Sequence, residues 1–223
     1  MIPVLGVPCL NQPDMLDRMI ESVDVKLGRL VIVDNGGVVA PGPGFHVIQP
    51  GHNLGVGASW NLIIQANPAA PWWFITNDDI EFAPGDLARL AQAMDAASGP
   101  LVALLGTFSA FGINRGAVRQ AGWFDENFAP AYFEDNDFDY RCHLTGVEMI
   151  GLPAGLKHKI SSTLIGGRLH GRNNITFPRN HEYYVRKWGG PPRGERFKTP
   201  FDAGGDPRSW VLEIDRLVEQ TWT

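Results

Sequence analysis

The stretch WWFITNDDIEF, residues 72–82, places a run of bulky apolar side chains directly before three polar ones. An apolar run of this length that ends at polar residues is typical of a buried strand. Asp78 and Asp79 then stand side by side, where like charges repel each other and burial costs hydration. A divalent cation would relieve that repulsion, and oxygen ligands favour Mg2+ or Mn2+. A loop with solvated carboxylates is the simpler interpretation of an isolated pair.

Strand and helix patterns alternate around this stretch through the first hundred residues. The sequence predicts further strands at 2–7, 30–33, 45–48 and 101–105, and helices at 13–23, 55–66 and 84–97. This alternation predicts an α/β fold with a mostly parallel, Rossmann-like sheet that is flanked by helices. Ligands bind at the carboxyl ends of the strands in such a sheet. Asn11, Asp34 and Asp79 follow three of the strands, so we expect them at one binding edge.

The second half of the chain is less regular. It predicts a helix at 134–144, short strands at 147–150 and 156–160, and a last helix at 207–221. The charged residues of the last helix are mostly acidic, which suits packing on the body of the protein or on a second subunit better than a membrane surface. A homo-oligomer is therefore one expectation.

Composition excludes several classes of protein. The 223 residues are 44% hydrophobic, which is enough for one sizeable domain with a packed core. A net charge of -5 argues against a nucleic-acid-binding surface. Cys9 and Cys142 lie far apart without metal-type spacing, which fits a reducing compartment. The first residues lack a basic region and a long apolar run, so we expect no signal peptide, no transmembrane segment and a cytoplasmic location.

The segment NLGVGASWN, residues 53–61, is rich in glycine near a predicted helix start. Gly55 and Gly57 would allow a phosphate to approach backbone N–H groups. An acidic pair about twenty residues on makes the segment similar to a dinucleotide fingerprint. Trp60 stands at the third glycine position of that fingerprint and is too large for it. A glycine-rich turn that caps a helix explains the segment equally well.

The segment YFEDNDFDYRCHLTG, residues 132–146, is dense in acidic side chains. They are Glu134, Asp135, Asp137 and Asp139. This density exceeds what helix capping requires, although one or two of them would serve as caps. Arg141 stands at helical spacing from Asp137 and would pair with it. A carboxylate held near the binding edge of the sheet would serve as a general base.

Taken together, these motifs resemble inverting, nucleotide-sugar-dependent glycosyltransferases of the GT-A fold, of the family-2 type. The order of the motifs matches over about residues 2–190. The segments that carry the resemblance are the opening strand with Pro8, VIVDNGG (31–37), NLGVGASWN (53–61), TNDD (76–79), FEDNDFDYRCHLTG (133–146), LKHKISST (156–163) and YYVRKWGG (183–190). The resemblance implies a single GT-A domain over 1–190, with a nucleotide-sugar half to about 100 and an acceptor half after it. Residues 191–223 would form a C-terminal extension with a helix.

The resemblance also implies roles for matched residues. Asp135 would be the catalytic base, Asp79 and His158 would bind the metal, and Glu134 would bind the acceptor. His170 is the rival of His158 as a metal ligand. Trp123, in the segment GINRGAVRQAGWFDENF (112–128) that the resemblance places between the sheet and the acceptor pocket, is expected to line the acceptor site. The donor-binding residues would be Pro8, Asn11, Asp34 (to the base), Asn53, Gly55, Gly57, Asn61, Asn77 and Asp78.

Two positions depart from the family pattern. Asn77 replaces the first carboxylate of the DXD motif, so Asp79 must carry more of the metal binding. Ser59 stands where the family often has glycine, which narrows the donor loop slightly.

The function implied is metal-assisted transfer of a sugar, with inversion, from a nucleotide diphosphate sugar to an acceptor hydroxyl. A UDP- or dTDP-sugar is favoured as donor, Mn2+ or Mg2+ as cofactor, and a glycan, a lipid-linked glycan or a protein as acceptor. One alternative is a non-catalytic module of the same fold that binds a nucleotide or a sugar. The other is a nucleotidyltransferase, which needs a glycine-rich loop with Arg or Lys near the N-terminus. The segment GVPCLNQPD, residues 6–14, lacks such a loop.

Overall fold

The computed structural model describes residues 1–158 and 170–206. For residues 170–175 it describes only the backbone, and it describes side chains again from Thr176 onward. Within this part of the chain the strands are β1 (Ile2–Cys9), β2 (Leu27–Asp34), β3 (His46–Ile48), β4 (Trp72–Thr76), β5 (Ile80–Glu81), β6 (Leu101–Leu105), β7 (Thr107–Asn114), β8 (Glu148–Leu152) and β9 (Lys157–His158). The α-helices are α1 (Pro13–Glu21), α2 (Val56–Gln65), α3 (Asp86–Ala96), α4 (Arg115–Ala121), α5 (Glu134–Thr145) and α6 (His170–Trp188). Short 3-10 helices span Glu126–Phe128 and Pro200–Asp202.

Seven strands form one sheet in the order β3-β2-β1-β4-β7-β6-β8. The pairs β1–β2, β1–β4, β2–β3 and β6–β8 are parallel, whereas β7 runs antiparallel to β4 and β6. The predicted α/β fold with a mostly parallel sheet is confirmed. A separate two-stranded antiparallel ribbon joins β5 to β9.

Strand β4 explains why the sheet is buried on both faces. Successive side chains of a strand point to opposite faces, and every residue of β4 is buried. Trp72 and Phe74 lie in one hydrophobic cluster, and Trp73 and Ile75 lie in the other. The first cluster includes residues of α1 and α3, and the second includes residues of α2, α4 and α5. Helices therefore cover both faces, as the continuous apolar run predicts.

Four strands and α-helices are absent from the sequence-based prediction: β5, β7, α4 and α6. Helix α6 contains Pro178 in its interior and begins in a segment of glycine, arginine and histidine, so it carries none of the usual start signals. The chain after α6 returns to the body, where the N–H groups of Arg196 and Phe197 donate to the carbonyl of Trp188. The predicted helix at 207–221 lies outside the described residues. No helix in the described part is both long and apolar enough to cross a bilayer.

Candidate active site

The carboxyl ends of β1, β2 and β4 meet at one edge because these strands are neighbours and run parallel. The backbone N–H of Asn35 donates to the carbonyl of Cys9 at 2.9 Å, which joins the loops after β2 and β1. A side chain at Gly36 would meet Asn11 Oδ1 at 2.2 Å, so these loops lie in contact. The sequence-based grouping of the loops after these strands is therefore observed, and Asn11 is exposed on this edge.

Asp79 and His158 meet at the same edge. Pairing of β5 with β9 sets Ile80 opposite His158, and this places His158 Nε2 3.3 Å from Asp79 Oδ1. The contact is an ion-pair distance without hydrogen-bond alignment, so Asp79 Oδ1 is buried with no hydrogen-bond donor. We call residues 77–79 with His158 the donor edge. A buried carboxylate oxygen that lacks a donor is a group that a cation would satisfy.

The carboxyl groups of the donor edge have perturbed acidities. Burial, and then the charge of Asp79, raise the pKa of Asp78 to about 7. Burial also raises the pKa of Asp79, although the His158 imidazole opposes that rise. The chain thus holds two neighbouring carboxyl groups out of water with one partly exposed imidazole beside them.

A divalent metal ion fits these residues through Asp79 and His158. Among the described residues no group of three or more His, Cys, Asp and Glu side chains gathers at one point. A carboxylate and an imidazole suit Mn2+, and Mg2+ is commonly held by one or two carboxylates together with substrate phosphates. The donor edge would therefore leave most coordination positions to substrate oxygens and water. The side chain of His170, the rival ligand, lies outside what the structure describes.

Asp34, which we expected to contact the base, is buried within its own loop. Its carboxylate is 1% exposed. It accepts hydrogen bonds from the N–H groups of Gly36 (3.2 Å), Gly37 (2.9 Å) and Val39 (2.8 Å) and from Gln49 Nε2 (3.0 Å). Burial alone would raise the pKa of Asp34, but these hydrogen bonds outweigh it and lower that pKa. Both oxygens are occupied, so the geometry opposes direct hydrogen bonding to a base and makes Asp34 the organiser of its loop.

The glycines before α2 serve a close approach between two parts of the chain. Gly55 has φ 84°, and a Cβ there would lie 2.7 Å from the carbonyl oxygen of Pro130. The N–H of Val56 donates to that oxygen at 2.7 Å. A Cβ added at Gly57 would lie 3.4 Å from Glu134 Cβ. The glycines therefore allow α2 to pack closely against the loop before α5, and a phosphate contact at this segment stays a prediction.

Asn61 and Trp123, which we expected at the donor and acceptor sites, are buried. Asn61 is 2% exposed, donates to the carbonyl of Phe124 (2.9 Å) and to Glu126 Oε1 (2.8 Å), and accepts from the N–H of Phe124 (3.0 Å). Trp123 belongs to the hydrophobic cluster beneath α2 and α4. Both assignments are opposed by the geometry, because these side chains hold the loop after α4 to the core.

The remaining expected donor residues are at the surface or half-buried. Asn53 is exposed, and its Oδ1 accepts from the N–H of Gly55 at 2.9 Å. Pro8 and Asn77 are half-buried. Ser59 is buried, accepts from Asn35 Nδ2 (3.0 Å) and donates to the carbonyl of Gly55 (2.6 Å). The hydroxyl at this position therefore links the loop after β2 to the start of α2.

Glu134 and Asp135, which we expected to act on an acceptor, stand at the start of α5. Glu134 is 6% exposed, and its Oε2 has no hydrogen-bond partner. Burial, and then the charge of Asp135, raise the pKa of Glu134 well above its usual range. Asp135 is half-buried, and its Oδ1 accepts from the N–H of Asn136 at 2.8 Å. Burial also raises the pKa of Asp135. Two carboxyl groups that differ in environment can hold different protonation states.

A buried network of charged side chains holds α5 against the neighbouring elements. Its members are Asp125, Asp137, Arg141 and Lys187. Lys187 Nζ lies 2.7 Å from Asp125 Oδ2 and 2.5 Å from Asp137 Oδ1. Arg141 Nε donates to Asp137 Oδ2 at 2.9 Å, as the helical spacing predicted. Trp188 Nε1 also donates to Asp137, at 2.8 Å. Helices α5 and α6 and the loop after α4 are therefore held together by paired charges.

Sequence reasoning gave no role to Asp125 or Lys187. The signal for them was present in the segments GWFDENF and YYVRKWGG, which stand far apart in sequence. Burial alone would raise the pKa of Asp125, but the charge of Lys187 and its hydrogen bond hold that pKa below its usual range. The contact between the two segments is visible only once α6 packs on α5.

Comparison with known proteins supports the fold. No family model matches the sequence, and no curated protein matches it. Solved structures of GT-A glycosyltransferases are similar. The mannosyltransferase PcManGT from Pyrobaculum calidifontis, in complex with GDP-Man and Mn2+, has a TM-score of 0.57 at 13% identity over 86% of this chain and 67% of that one.

Two further structures are similar at the same level. Glucosyl-3-phosphoglycerate synthase from Mycobacterium tuberculosis, in complex with Mn2+, UDP and glucosyl-3-phosphoglycerate, has a TM-score of 0.55 at 14% identity over 80% of this chain and 79% of that one. S. aureus TarS 1-349 has a TM-score of 0.55 at 14% identity over 69% of this chain. The chain spans 59% of that TarS chain. At these identities the likeness shows a GT-A fold.

Proposed function

We propose that this chain is a metal-assisted, inverting glycosyltransferase that uses a nucleotide diphosphate sugar. The observation that carries the proposal is the Asp79–His158 contact of 3.3 Å, in which a buried carboxylate oxygen has no hydrogen-bond donor. It stands at the carboxyl edge of the sheet, where nucleotides bind in folds of this kind. Similar folds are recorded with GDP-Man and Mn2+ and with UDP and Mn2+, which supports the proposal.

Asp79 and His158 would hold the divalent cation, Mn2+ or Mg2+. Bound there, the cation would supply stabilisation of the negative charge on the leaving diphosphate. Asn11, Asn53, Asn77 and Asp78 lie at or near this edge and are the proposed donor contacts, with Pro8 at the end of β1. Asp34 acts on the donor through the loop that it organises. A UDP- or dTDP-sugar remains our favoured donor.

Asp135 is the proposed general base. It takes the proton of the acceptor hydroxyl while the acceptor oxygen forms a bond to the anomeric carbon and the bond to the diphosphate oxygen breaks. The diphosphate leaves with the electron pair, and attack from the opposite face inverts the anomeric centre. The raised pKa of Asp135 suits a base that operates nearer neutrality than a free aspartate. Burial, and then the charge of Asp135, raise the pKa of Glu134 well above its usual range, which favours its protonated form as a hydrogen-bond donor to the acceptor.

Donor hydrolysis tests this function. Purified protein is incubated with UDP-, dTDP- and GDP-sugars, with Mn2+ or with EDTA, and the released nucleoside diphosphate is measured. The proposal predicts slow, Mn2+-dependent hydrolysis of at least one donor, lost in Asp79→Ala and kept in the exposed control Asp17→Ala. Release of no nucleoside diphosphate from any donor would favour a binding module. In a parallel incubation with a nucleoside triphosphate and a sugar 1-phosphate, release of pyrophosphate would favour a nucleotidyltransferase.

A further inference from the structure

An exposed aromatic ring stands beside the acceptor-side carboxyl groups. Phe177 on α6 is 46% exposed. Its ring centroid lies 5.4 Å from that of Tyr132 and 5.0 Å from that of Phe133, the residue before Glu134. Large exposed apolar side chains are few in the described part of the chain, and the others are Met1, Val38 and Phe201. Phe177 is therefore an exposed apolar surface that packs on Phe133, which stands two residues before the proposed general base in the chain.

Polar atoms without partners lie around this ring. Tyr132 Oη, Glu134 Oε2 and Thr176 Oγ1 are buried, and none of them has a hydrogen-bond partner. A buried polar group without a partner is costly, and a native protein rarely keeps one without a reason. Tyr132 and Glu134 stand on either side of Phe133, and Thr176 directly precedes Phe177, so the three atoms belong to residues next to this ring pair and point to a ligand that carries several hydroxyl groups.

The backbone beside the ring is held in a strained conformation. Tyr132 and Phe133 have φ 79° and 74°, which side chains of this size rarely adopt. Asn180 of α6 is buried and donates to the carbonyls of Phe128 (2.9 Å), Ala131 (2.9 Å) and Tyr132 (3.2 Å). Strain that the surroundings enforce is concentrated at binding and catalytic sites. Helix α6 therefore supplies both the ring and the clamp that shapes the loop.

We infer that the acceptor is a neutral sugar ring that packs on Phe177 and whose hydroxyl groups pair with Tyr132 and Glu134. The inference rests on the proposed function. A pyranose offers an apolar C–H surface that packs on the Phe177 ring, and it offers hydroxyl groups that pair with the buried polar atoms that have no partner. An alkyl chain offers only an apolar surface. An acceptor phosphate at this point would meet the carboxylate of Asp135. One sugar hydroxyl faces Asp135 and becomes the nucleophile.

Methyl pyranosides are the probes for this site. Saturation-transfer difference NMR with the methyl glucosides, galactosides and mannosides is run on the protein with Mn2+ and the nucleoside diphosphate that the hydrolysis screen selects. Transfer to the same glycosides is measured alongside. We expect at least one glycoside to bind, with the strongest signals from its ring C–H protons. Phe177→Ala should raise the KM for that glycoside about 10-fold.

Further variants distinguish the contribution of the Phe177 ring from a general loss of stability. Phe177→Trp should keep binding, Phe177→Leu should lose it although the site stays apolar, and Tyr132→Phe should raise KM because one hydroxyl partner is removed. Phe201→Ala is the matched control, since Phe201 is 45% exposed and contacts Tyr183 of α6. Its KM should equal that of the parent. Melting temperatures are recorded for every variant.

Failure of this inference is distinct from failure of the proposed function. If donor hydrolysis is intact but no glycoside binds or accepts the sugar, the acceptor is of another class and the inference is wrong. Parental glycoside binding in Phe177→Ala would also overturn it. Absence of donor hydrolysis would overturn the proposed function, and the inference with it.

Discussion

The donor edge and the buried charge network both gather carboxyl groups, but they differ in how those charges are balanced. In the network, Asp125 and Asp137 face Lys187 and Arg141 at hydrogen-bond distance. At the donor edge, Asp79 has a single imidazole contact, and one of its oxygens has no donor. Within the described part of the chain, the carboxylates that hold the fold together are therefore paired with Lys and Arg, whereas Asp79 is paired with an imidazole alone, and a ligand is expected to supply the remaining charge.

The pKa shifts of the carboxyl groups also differ between the buried charge network and the donor edge. Burial opposes ionisation in both places, yet the pKa of Asp125 is lowered because Lys187 outweighs burial. The pKa of Asp78 is raised to about 7 because burial is reinforced by Asp79. Residues of one type thus shift in opposite directions according to whether a fixed cation is near. The comparison predicts that variants of the network lose stability, whereas variants of the site lose activity.

The largest expected effect is on stability, from Lys187→Met. This change leaves Asp125 and Asp137 buried without their shared cation, and breaking a buried ion pair costs about 3–5 kcal/mol. Urea unfolding gives the free energy. Lys26→Met, at an exposed position, should lie within about 0.5 kcal/mol of the parent. A loss below about 1 kcal/mol for Lys187→Met would mean that the network does not hold the fold.

The next effect is on transfer, from Asp135→Asn. The change keeps the shape and removes the proton acceptor, so kcat should fall about 100-fold or more while the melting temperature stays near that of the parent. Asp137→Asn, two residues along the same helix, should instead lower the melting temperature because Asp137 is paired with Arg141 and Lys187. Near-parental kcat in Asp135→Asn would remove it from the mechanism.

A change at Asp34 tests whether a site residue acts through the fold. Asp34→Asn places an N–H2 group against N–H donors and should cost about 1–3 kcal/mol of stability. Since the folded pKa of Asp34 is lowered, its stabilisation is complete above the unfolded pKa and is lost as pH falls through the folded pKa. The difference between the two proteins should therefore shrink in acid. Weakened nucleotide binding with unchanged stability would instead restore direct contact with a base.

The smallest expected effect is a gain in stability from Glu134→Gln. Because the pKa of Glu134 is higher in the folded state, folding takes up a proton above the unfolded pKa, and the parent loses stability as pH rises from there. Glutamine removes that penalty, so the variant should be more stable than the parent at pH 7, and the difference should vanish as pH falls below the unfolded pKa. A variant that is less stable at pH 7 would show that Glu134 is paired.

How much the sequence predicts depends on the range of the contacts. Strand β4 and its acidic end were predictable because an apolar run and its boundary are local features. The partners of Asp34 were not, since a carboxylate that binds a base and one that binds backbone N–H groups look alike in sequence. Gly55 was predicted to allow the close approach of a phosphate, and only the folded chain shows that the carbonyl of Pro130 lies close to it. Lys187 required the packing of α6, which has no start signal and an internal proline.

The metal dependence of nucleotide binding tests the central claim most directly. Isothermal titration calorimetry with UDP and with GDP is run on the parent, on Asp79→Ala and on Asp17→Ala, each with Mn2+ and with EDTA. The account predicts that Mn2+ strengthens binding of at least one nucleotide about tenfold or more in the parent and in Asp17→Ala, and hardly at all in Asp79→Ala, because its principal protein ligand is gone. Equal Mn2+ dependence in all three proteins would contradict the assignment of Asp79.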